Sequence, residues 1–144
     1  MNYKHSSHST FDLKYHLVFC TKYRYRVLTG QIAMRTREII RDVCTANYVD
    51  IVSGNITPDH VHMLISMSPS MALSKLVQYI KGKSSRKLFQ EFEQLKKRYW
   101  GQHLWARGYF AVTVGNINAA DVQKYIEEQV THHNKGSNFN ISEF

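Results

Sequence analysis

The chain has 144 residues, of which 43% are hydrophobic and 21% charged, and it carries a net charge of +8. This length fits one domain with its own hydrophobic core, and the composition excludes a disordered chain. No apolar run is long enough to span a bilayer, and the first ten residues lack the apolar region of a secretory signal, so a cytoplasmic protein is expected.

The surplus of basic residues gives an isoelectric point near 9.6, which is typical of proteins that bind a polyanion such as nucleic acid. The two cysteines, Cys20 and Cys44, lie in apolar surroundings and form no C-x-x-C pair. They are therefore interpreted as reduced core residues.

The first half of the chain predicts a strand, a helix and a β-hairpin, in that order. Residues 13–22 are rich in β-forming residues and partly alternate, which predicts a strand. A helix is expected from Thr29 or Gly30 to about Ala46, because isoleucines recur there at helical spacing. Strands at 48–56 and 60–67 are separated by the turn Thr57-Pro58-Asp59, where proline fixes φ.

The second half predicts a helix, a strand and a final helix. The helix begins at Pro69-Ser70, the strand covers 104–114 with an interruption at Gly108, and Asn118 caps a helix that runs to about His133. The order βαββαβ predicts an α+β fold of the ferredoxin-like or RRM-like type, an antiparallel sheet with helices on one face. One domain is expected over 1–144, with its core at about 11–133 and a flexible tail at 134–144.

His60-Val61-His62 opens the third predicted strand. Alternate side chains of a strand share a face, so His60 and His62 point the same way and Val61 points towards the core. Two imidazoles roughly 7 Å apart along a strand can converge on one metal ion, with a third ligand from elsewhere. The alternative is a pair of surface histidines, the more frequent meaning of an isolated H-x-H. Asp59 is interpreted as a turn former, and the other six histidines as solvent or core residues.

Tyr125 and Gln129 lie four residues apart in the last predicted helix, and therefore on one face of it. By spacing alone, a packing tyrosine and a solvated glutamine are the commoner interpretation. A phenol with a pKa of about 10 is a poor nucleophile at neutral pH, but a divalent cation can orient and polarise a phosphate beside it. A glutamine oxygen is a suitable third ligand, so covalent catalysis by Tyr125 is the functional hypothesis.

The two motifs, Pro58-Asp59-His60-Val61-His62 and Tyr125-x-x-x-Gln129, together resemble the single-tyrosine HUH transposases of small bacterial and archaeal insertion sequences. Further similarity lies at 15–24, 81–86 and 104–105, and the resemblance covers about 11–133. It implies that Tyr125 is the nucleophile and that His60, His62 and Gln129 bind Mg²⁺ or Mn²⁺.

The same resemblance implies an enzyme that cuts and rejoins single-stranded DNA at insertion-sequence ends. It would recognise a subterminal hairpin and form a 5′-phosphotyrosine link. It would also be a homodimer, in which the tyrosine helix of one subunit can complete the histidine site of the other.

Two groups of basic residues are candidates for DNA contacts. In the first, Lys22, Arg24 and Arg26 alternate with tyrosines that could stack on unpaired bases, although a solvated basic loop explains this group equally well. The second group surrounds a glycine in the second predicted helix that lets a backbone approach closely. Its members are Lys81, Lys83, Arg86 and Lys87. The run Lys96-Lys97-Arg98 before Trp100 is ambiguous.

Other functions stay open at this point. A non-catalytic single-stranded nucleic-acid binder would share the sheet order, although the glycine-aromatic motif of RNA-recognition domains is missing. A relaxase or replication initiator of the HUH type would share the chemistry but is usually longer. A metal-dependent hydrolase would need more ligands than the 11 acidic residues offer.

Overall fold

The structure, a computed structural model, describes residues 4–5, 10–11, 13–114, 123–128 and 142–143. Its main feature is an antiparallel sheet with the strand order β6-β3-β5-β4-β7. The strands of this sheet are β3 (Leu13–Cys20), β4 (Asp50–Thr57), β5 (His60–Met67), β6 (Phe110–Thr113) and β7 (Ser142–Glu143). A separate two-residue ladder pairs β1 (Lys4–His5) with β2 (Thr10–Phe11).

Helices account for most of the remaining described chain. They are α1 (Gly30–Ala46), α2 (Leu73–Glu91), α3 (Glu93–Arg98) and a short 3₁₀ helix at Lys22–Arg24. Residues 123–128, named here the tyrosine segment, are also helical. The α+β antiparallel fold predicted from the sequence is therefore confirmed, whereas the predicted limits of the last helix, Asn118 and His133, lie outside the described residues.

Side chains alternate across the two central strands and so build two different faces. Leu17 and Phe19 of β3, with Val61, Met63 and Ile65 of β5, belong to the main core that α1 and α2 cover. Burying an apolar side chain of this size contributes roughly 1.5–3 kcal/mol. The opposite face carries a small second cluster, in which Val18 packs against Ile126 of the tyrosine segment.

Several boundaries differ from the sequence prediction for local reasons. The helix predicted from Pro69-Ser70 begins only at Leu73, because the backbone N–H of Ser70 bonds the Ser68 hydroxyl in a preceding turn. The strand predicted at 104–114 is reduced to β6, since Gly108 has a φ of +79° and Trp105 forms only an isolated bridge with Thr21. The strand predicted at 48–56 begins at Asp50, because Tyr48 has a φ of +57°.

Several elements have no counterpart in the prediction, among them α3 and β7. Phe92 adopts an extended conformation that separates α3 from α2. Two residues of the expected flexible tail form β7, which pairs with Asn55 and Ile56 on the edge of β4. Within the described part of the chain, no helix combines the length and apolarity needed to cross a membrane.

Candidate catalytic site on the second face of the sheet

Both motif histidines lie on the face of β5 that points away from the main core, as the alternation predicted. His60 is 0% exposed, whereas His62 is half-buried. In the register between β3 and β5, Cys20 is opposite His60 and Val18 is opposite His62. Val61, between the two histidines, is fully buried in the core on the other side.

Tyr125 reaches this same face from the C-terminal part of the chain. Its ring stacks on Phe110 of β6, with the centroids 4.7 Å apart and the planes at 24°. Phe110 is opposite Val18, and Val18 is in turn opposite His62. The fold therefore brings the tyrosine to the face that carries the histidine pair, across about sixty residues of sequence.

The Tyr125 hydroxyl is un-ionised at neutral pH. Burial, with a smaller contribution from Cys20 and an opposing one from Arg24, raises the pKa of Tyr125 to about 12. A phenol in this environment needs an electrophilic partner or a proton acceptor before it can act as a nucleophile.

A buried chain of polar contacts joins the tyrosine segment to the histidine motif. Arg24 Nη2 lies 3.0 Å from Asp59 Oδ2, and both side chains are 1% exposed. Arg24 Nη1 donates to the backbone oxygen of Ile126 at 3.2 Å. Asp59 Oδ1 lies 2.9 Å from His60 Nδ1. Arg24 therefore contacts both Ile126, the residue after Tyr125, and the Asp59 carboxylate, which in turn orients His60.

The contacts around His60 set the orientation of its ring. A carboxylate can only accept, so the proton of His60 is on Nδ1, where the Thr57 hydroxyl also lies at 2.7 Å. This carboxylate–histidine arrangement directs Nε2 towards a metal ion in many metal sites. Asp59, interpreted from the sequence as a turn former, is in the turn but also orients His60.

Charge and burial compete at the Asp59–His60 pair. Burial alone would raise the pKa of Asp59, but hydrogen bonding to His60 and the charge of Arg24 lower it below its usual value. Burial lowers the pKa of His60 in spite of the Asp59 contact. At neutral pH the pair is therefore a carboxylate beside a neutral imidazole, the form that binds metals.

His62 has an unpredicted neighbour in His16 of β3. The two residues are diagonal neighbours in the sheet, with His16 Nδ1 3.3 Å from His62 Nε2. Burial, followed by the nearby His16 and His60, lowers the pKa of His62 to about 4. The sequence identified His16 only as a solvent or core residue and did not reveal this contact. Only the register of β3 against β5 could have identified it.

The predicted metal site is only partly described. Among the described residues, no three or more His, Cys, Asp or Glu side chains are grouped so as to hold a metal ion. Gln129, the predicted third ligand, lies outside the described residues. Two neutral imidazoles with an oriented Nε2 on His60 do fit a divalent metal, provided that a further ligand completes the site.

The predicted DNA-binding residues of the first group differ in their exposure to solvent. Arg24 is 1% exposed and engaged with Asp59, so the prediction that it contacts DNA is wrong. Its neighbours differ: Arg26 is exposed, and the ammonium of Lys22 lies 5.2 Å from the centre of the Tyr23 ring.

The second predicted group lies on α2. Lys81 donates to the backbone oxygens of Ala106 at 2.8 Å and Gly108 at 2.6 Å, and it thereby fixes the segment before β6. Arg86 is exposed, while Lys83 and Lys87 are half-buried. A side chain at Gly82 would meet nothing within 4 Å, so this surface is open. DNA contact by the α2 residues stays a prediction.

An antiparallel α+β sheet with an H-x-H pair and a tyrosine on its second face fits the resemblance to single-tyrosine HUH transposases noted in the sequence. A sequence model described as IS200-like transposases matches residues 9–129, and the chain belongs to that family. Its members are enzymes that cut and transfer DNA.

Individual relatives agree with this assignment. The chain is 40% identical over 119 residues to the ISDra2 transposase TnpA of Deinococcus radiodurans, covering 83% of this chain and 85% of the relative. A crystal structure of a candidate transposase from Deinococcus radiodurans superposes with a TM-score of 0.80 at 36% identity, covering 88% of this chain and 97% of that one. A REP-associated tyrosine transposase bound to a REP hairpin shares the fold, with a TM-score of 0.53 at 15% identity over 89% of this chain and 74% of that one.

Proposed function

We propose that this transposase cuts and rejoins single-stranded DNA at the ends of an insertion sequence, with Tyr125 as its nucleophile. The observation that carries the proposal is the meeting of Tyr125 and the His60–His62 pair on one face of the sheet, with Arg24 bonded to both segments. The tyrosine is too weak a nucleophile by itself, and a metal ion held by the histidine pair would polarise the phosphate that it attacks.

In the proposed first step, the Tyr125 oxygen attacks the phosphorus of one phosphodiester. The bond from phosphorus to the 3′-oxygen breaks, so one product has a free 3′-hydroxyl and the other is joined to Tyr125 by a 5′-phosphate ester. The phenol loses its proton and the departing 3′-oxygen gains one. The ester keeps the energy of the broken bond, so attack by another 3′-hydroxyl can rejoin the DNA without an external energy source.

His60 and His62 would hold Mg²⁺ or Mn²⁺, and Gln129 would complete the site. The bound ion would orient and polarise the phosphate and stabilise charge on the leaving oxygen. Asp59 keeps the His60 ring in the tautomer that presents Nε2, and Arg24 keeps Asp59 ionised.

A subterminal DNA hairpin is the proposed recognition element, and a homodimer the proposed assembly. The fold shared with a hairpin-bound tyrosine transposase supports the first proposal. Arg24 contacts the backbone oxygen of Ile126 in the same chain. This contact supports an active site that is built within a single subunit.

The decisive experiment is a covalent-adduct assay with a hairpin oligonucleotide that carries a single-stranded flank. With Mn²⁺ present, DNA labelled at its 3′ end should migrate with the denatured protein, and DNA labelled at its 5′ end should not. Tyr125→Phe should abolish the adduct yet fold normally, because the ring that stacks on Phe110 remains. Tyr79→Phe, an exposed tyrosine of α2, is the matched control and should react like the native enzyme.

Removal of the metal tests the proposed metal site. EDTA and the His62→Ala substitution should each abolish the adduct while leaving hairpin binding intact. An adduct that persists in Tyr125→Phe contradicts the nucleophile, and one that persists in His62→Ala contradicts the metal site. Binding without any adduct in the native enzyme would instead favour a non-catalytic binder.

A further inference from the structure

We propose that a second surface of the protein binds unpaired bases of the DNA strand that leads into the catalytic site. This inference rests on the proposed function for the identity of the substrate. The surface consists of the loop after β3 and the end of α3, and we name it the aromatic–basic surface. Its residues are Lys22, Tyr23, Tyr25, Arg26, Arg98 and Trp100.

The two tryptophans of the chain have opposite environments. Trp105 is 6% exposed, donates to Ser84 at 2.8 Å and packs edge-on against Phe19. Trp100 is 88% exposed, although a tryptophan side chain is among the most costly to leave in water. A free indole on a basic protein is suited to stacking on a partner ring.

The turn after α3 holds Trp100 in a defined position. Its backbone N–H bonds the oxygen of Lys97 at 3.1 Å, and the next residue, Gly101, bonds the oxygen of Lys96 at 2.8 Å. The backbone at Trp100 has a φ of +57°. The indole is therefore presented by an ordered turn, which lowers the entropy that stacking would cost.

Contacts between distant residues join this turn to the loop after β3. The Tyr99 hydroxyl donates to the backbone oxygen of Lys22 at 3.1 Å, and its ring lies 5.3 Å from that of Tyr25. The Arg98 guanidinium lies over the Tyr25 ring, 4.1 Å from its centre. The loop and the end of α3 are thus in direct contact.

Charge complementarity selects a polyanion as the occupant. Among the described residues that line the groove between this loop and α3, the charged ones are Arg26, Arg98 and the buried, ion-paired Arg24, and none is acidic. Tyr23 is 52% exposed beside Lys22, so rings and cations alternate along the surface. Unpaired bases stack on such rings and on guanidinium planes, whereas bases inside a duplex are already stacked. A second copy of this basic chain would bring like charges together.

The position of the surface relates it to the catalytic site. Tyr23 and Tyr25 flank Arg24, which points inward to Asp59 and to the backbone oxygen of Ile126. The outer side of the loop is the aromatic–basic surface, and the inner side supports His60 and the tyrosine segment. A strand bound on the outside would therefore contact the same loop that supports the catalytic site from within.

Trp100 itself provides the test, because Trp105→Phe leaves it as the only tryptophan of the chain. Titration of this variant with oligothymidylate should quench the Trp100 fluorescence and protect it from iodide. Trp100→Ala and Arg98→Gln should each weaken oligothymidylate binding roughly tenfold, the effect expected for loss of one stacked base. Tyr48→Ala is the matched control, because Tyr48 is 89% exposed and also has a positive φ.

Binding of a blunt hairpin without a flank should be the same in all these variants. Unchanged fluorescence and unchanged oligothymidylate affinity in Trp100→Ala would overturn the proposal, even if the Tyr125 adduct forms normally. Quenching without an adduct would leave the surface in place and contradict the proposed function instead. A change in sedimentation of Trp100→Ala without DNA would identify the surface as a contact between copies and overturn the DNA proposal.

Discussion

The two faces of β5 differ sharply although their residues alternate along one strand. Val61, Met63 and Ile65 point into the main core and are 0% exposed. His60 and His62 point the other way, towards Cys20, Val18 and the tyrosine segment. One face therefore contributes most of the apolar packing of the fold, and the other carries the polar side chains that are candidates for chemistry.

Arg24 is the exception to this separation. It lies with the catalytic residues, but it is as deeply buried as the core and holds two distant segments together. The second face thus contains both the candidate catalytic residues and a buried ion pair that supports the structure. The following predictions test this contrast.

The largest expected effect on stability is that of Arg24→Met. Loss of the guanidinium leaves the Asp59 carboxylate buried without its ion-pair partner, which costs about 3–5 kcal/mol of unfolding free energy. Urea denaturation measures this cost. The exposed Arg26→Met should change the unfolding free energy by less than about 0.5 kcal/mol. Equal stability of the two variants would mean that the buried pair is not structural.

Substitution in the core face should be almost as costly. Ile65→Ala removes a fully buried side chain and should cost about 2–5 kcal/mol. Leu64→Ala, on the adjacent half-buried position of the second face, should cost clearly less. Thermal and urea unfolding of both variants measure the difference, and a larger loss for Leu64→Ala would contradict the assignment of the two faces.

His16 should affect the metal site more than the fold. Its contact with His62 orients one proposed ligand, and loss of such an orienting neighbour typically weakens metal affinity about 10–100-fold. Calorimetric titration of His16→Ala with Mn²⁺, without DNA, measures this. His103→Ala, an exposed histidine far from both motifs in sequence, should bind Mn²⁺ like the native chain. Unchanged Mn²⁺ affinity in His16→Ala would mean that His16 has only a packing role.

The smallest effect concerns the two thiols, one on each side of the sheet. Burial raises the pKa of Cys20 to about 11 and that of Cys44 to about 12, from 9.0. Above pH 9 the unfolded chain releases these protons and the folded chain keeps them, so stability falls as the pH rises. The slope approaches about 1.4 kcal/mol per pH unit for each thiol.

Urea unfolding at pH 8, 9 and 10 should detect this decline. Cys44→Ala should reduce the slope even though it lowers the absolute stability, because one of the groups that release their protons on unfolding is gone. A slope unchanged by Cys44→Ala would mean that its thiol does not stay protonated in the folded protein.

Prediction from sequence was accurate where a local pattern determines the structure. The limits of α1 and β5 agree with those predicted, since helical and alternating periodicity were both clear. It failed at α3, for which no element was predicted and which an extended Phe92 separates from α2, and at Trp105, which forms a single bridge in place of a strand. Burial and backbone conformation at single residues decided these cases.

The sequence alone determined the family, the order of the main strands and helices and the shared face of His60 and His62, because motifs and period-two alternation are local properties. Only the tertiary structure decided that His16 contacts His62, that Arg24 points inward, and that Tyr125 packs on the histidine face. Those facts depend on strand register and on contacts between residues far apart in the chain, which no local pattern encodes.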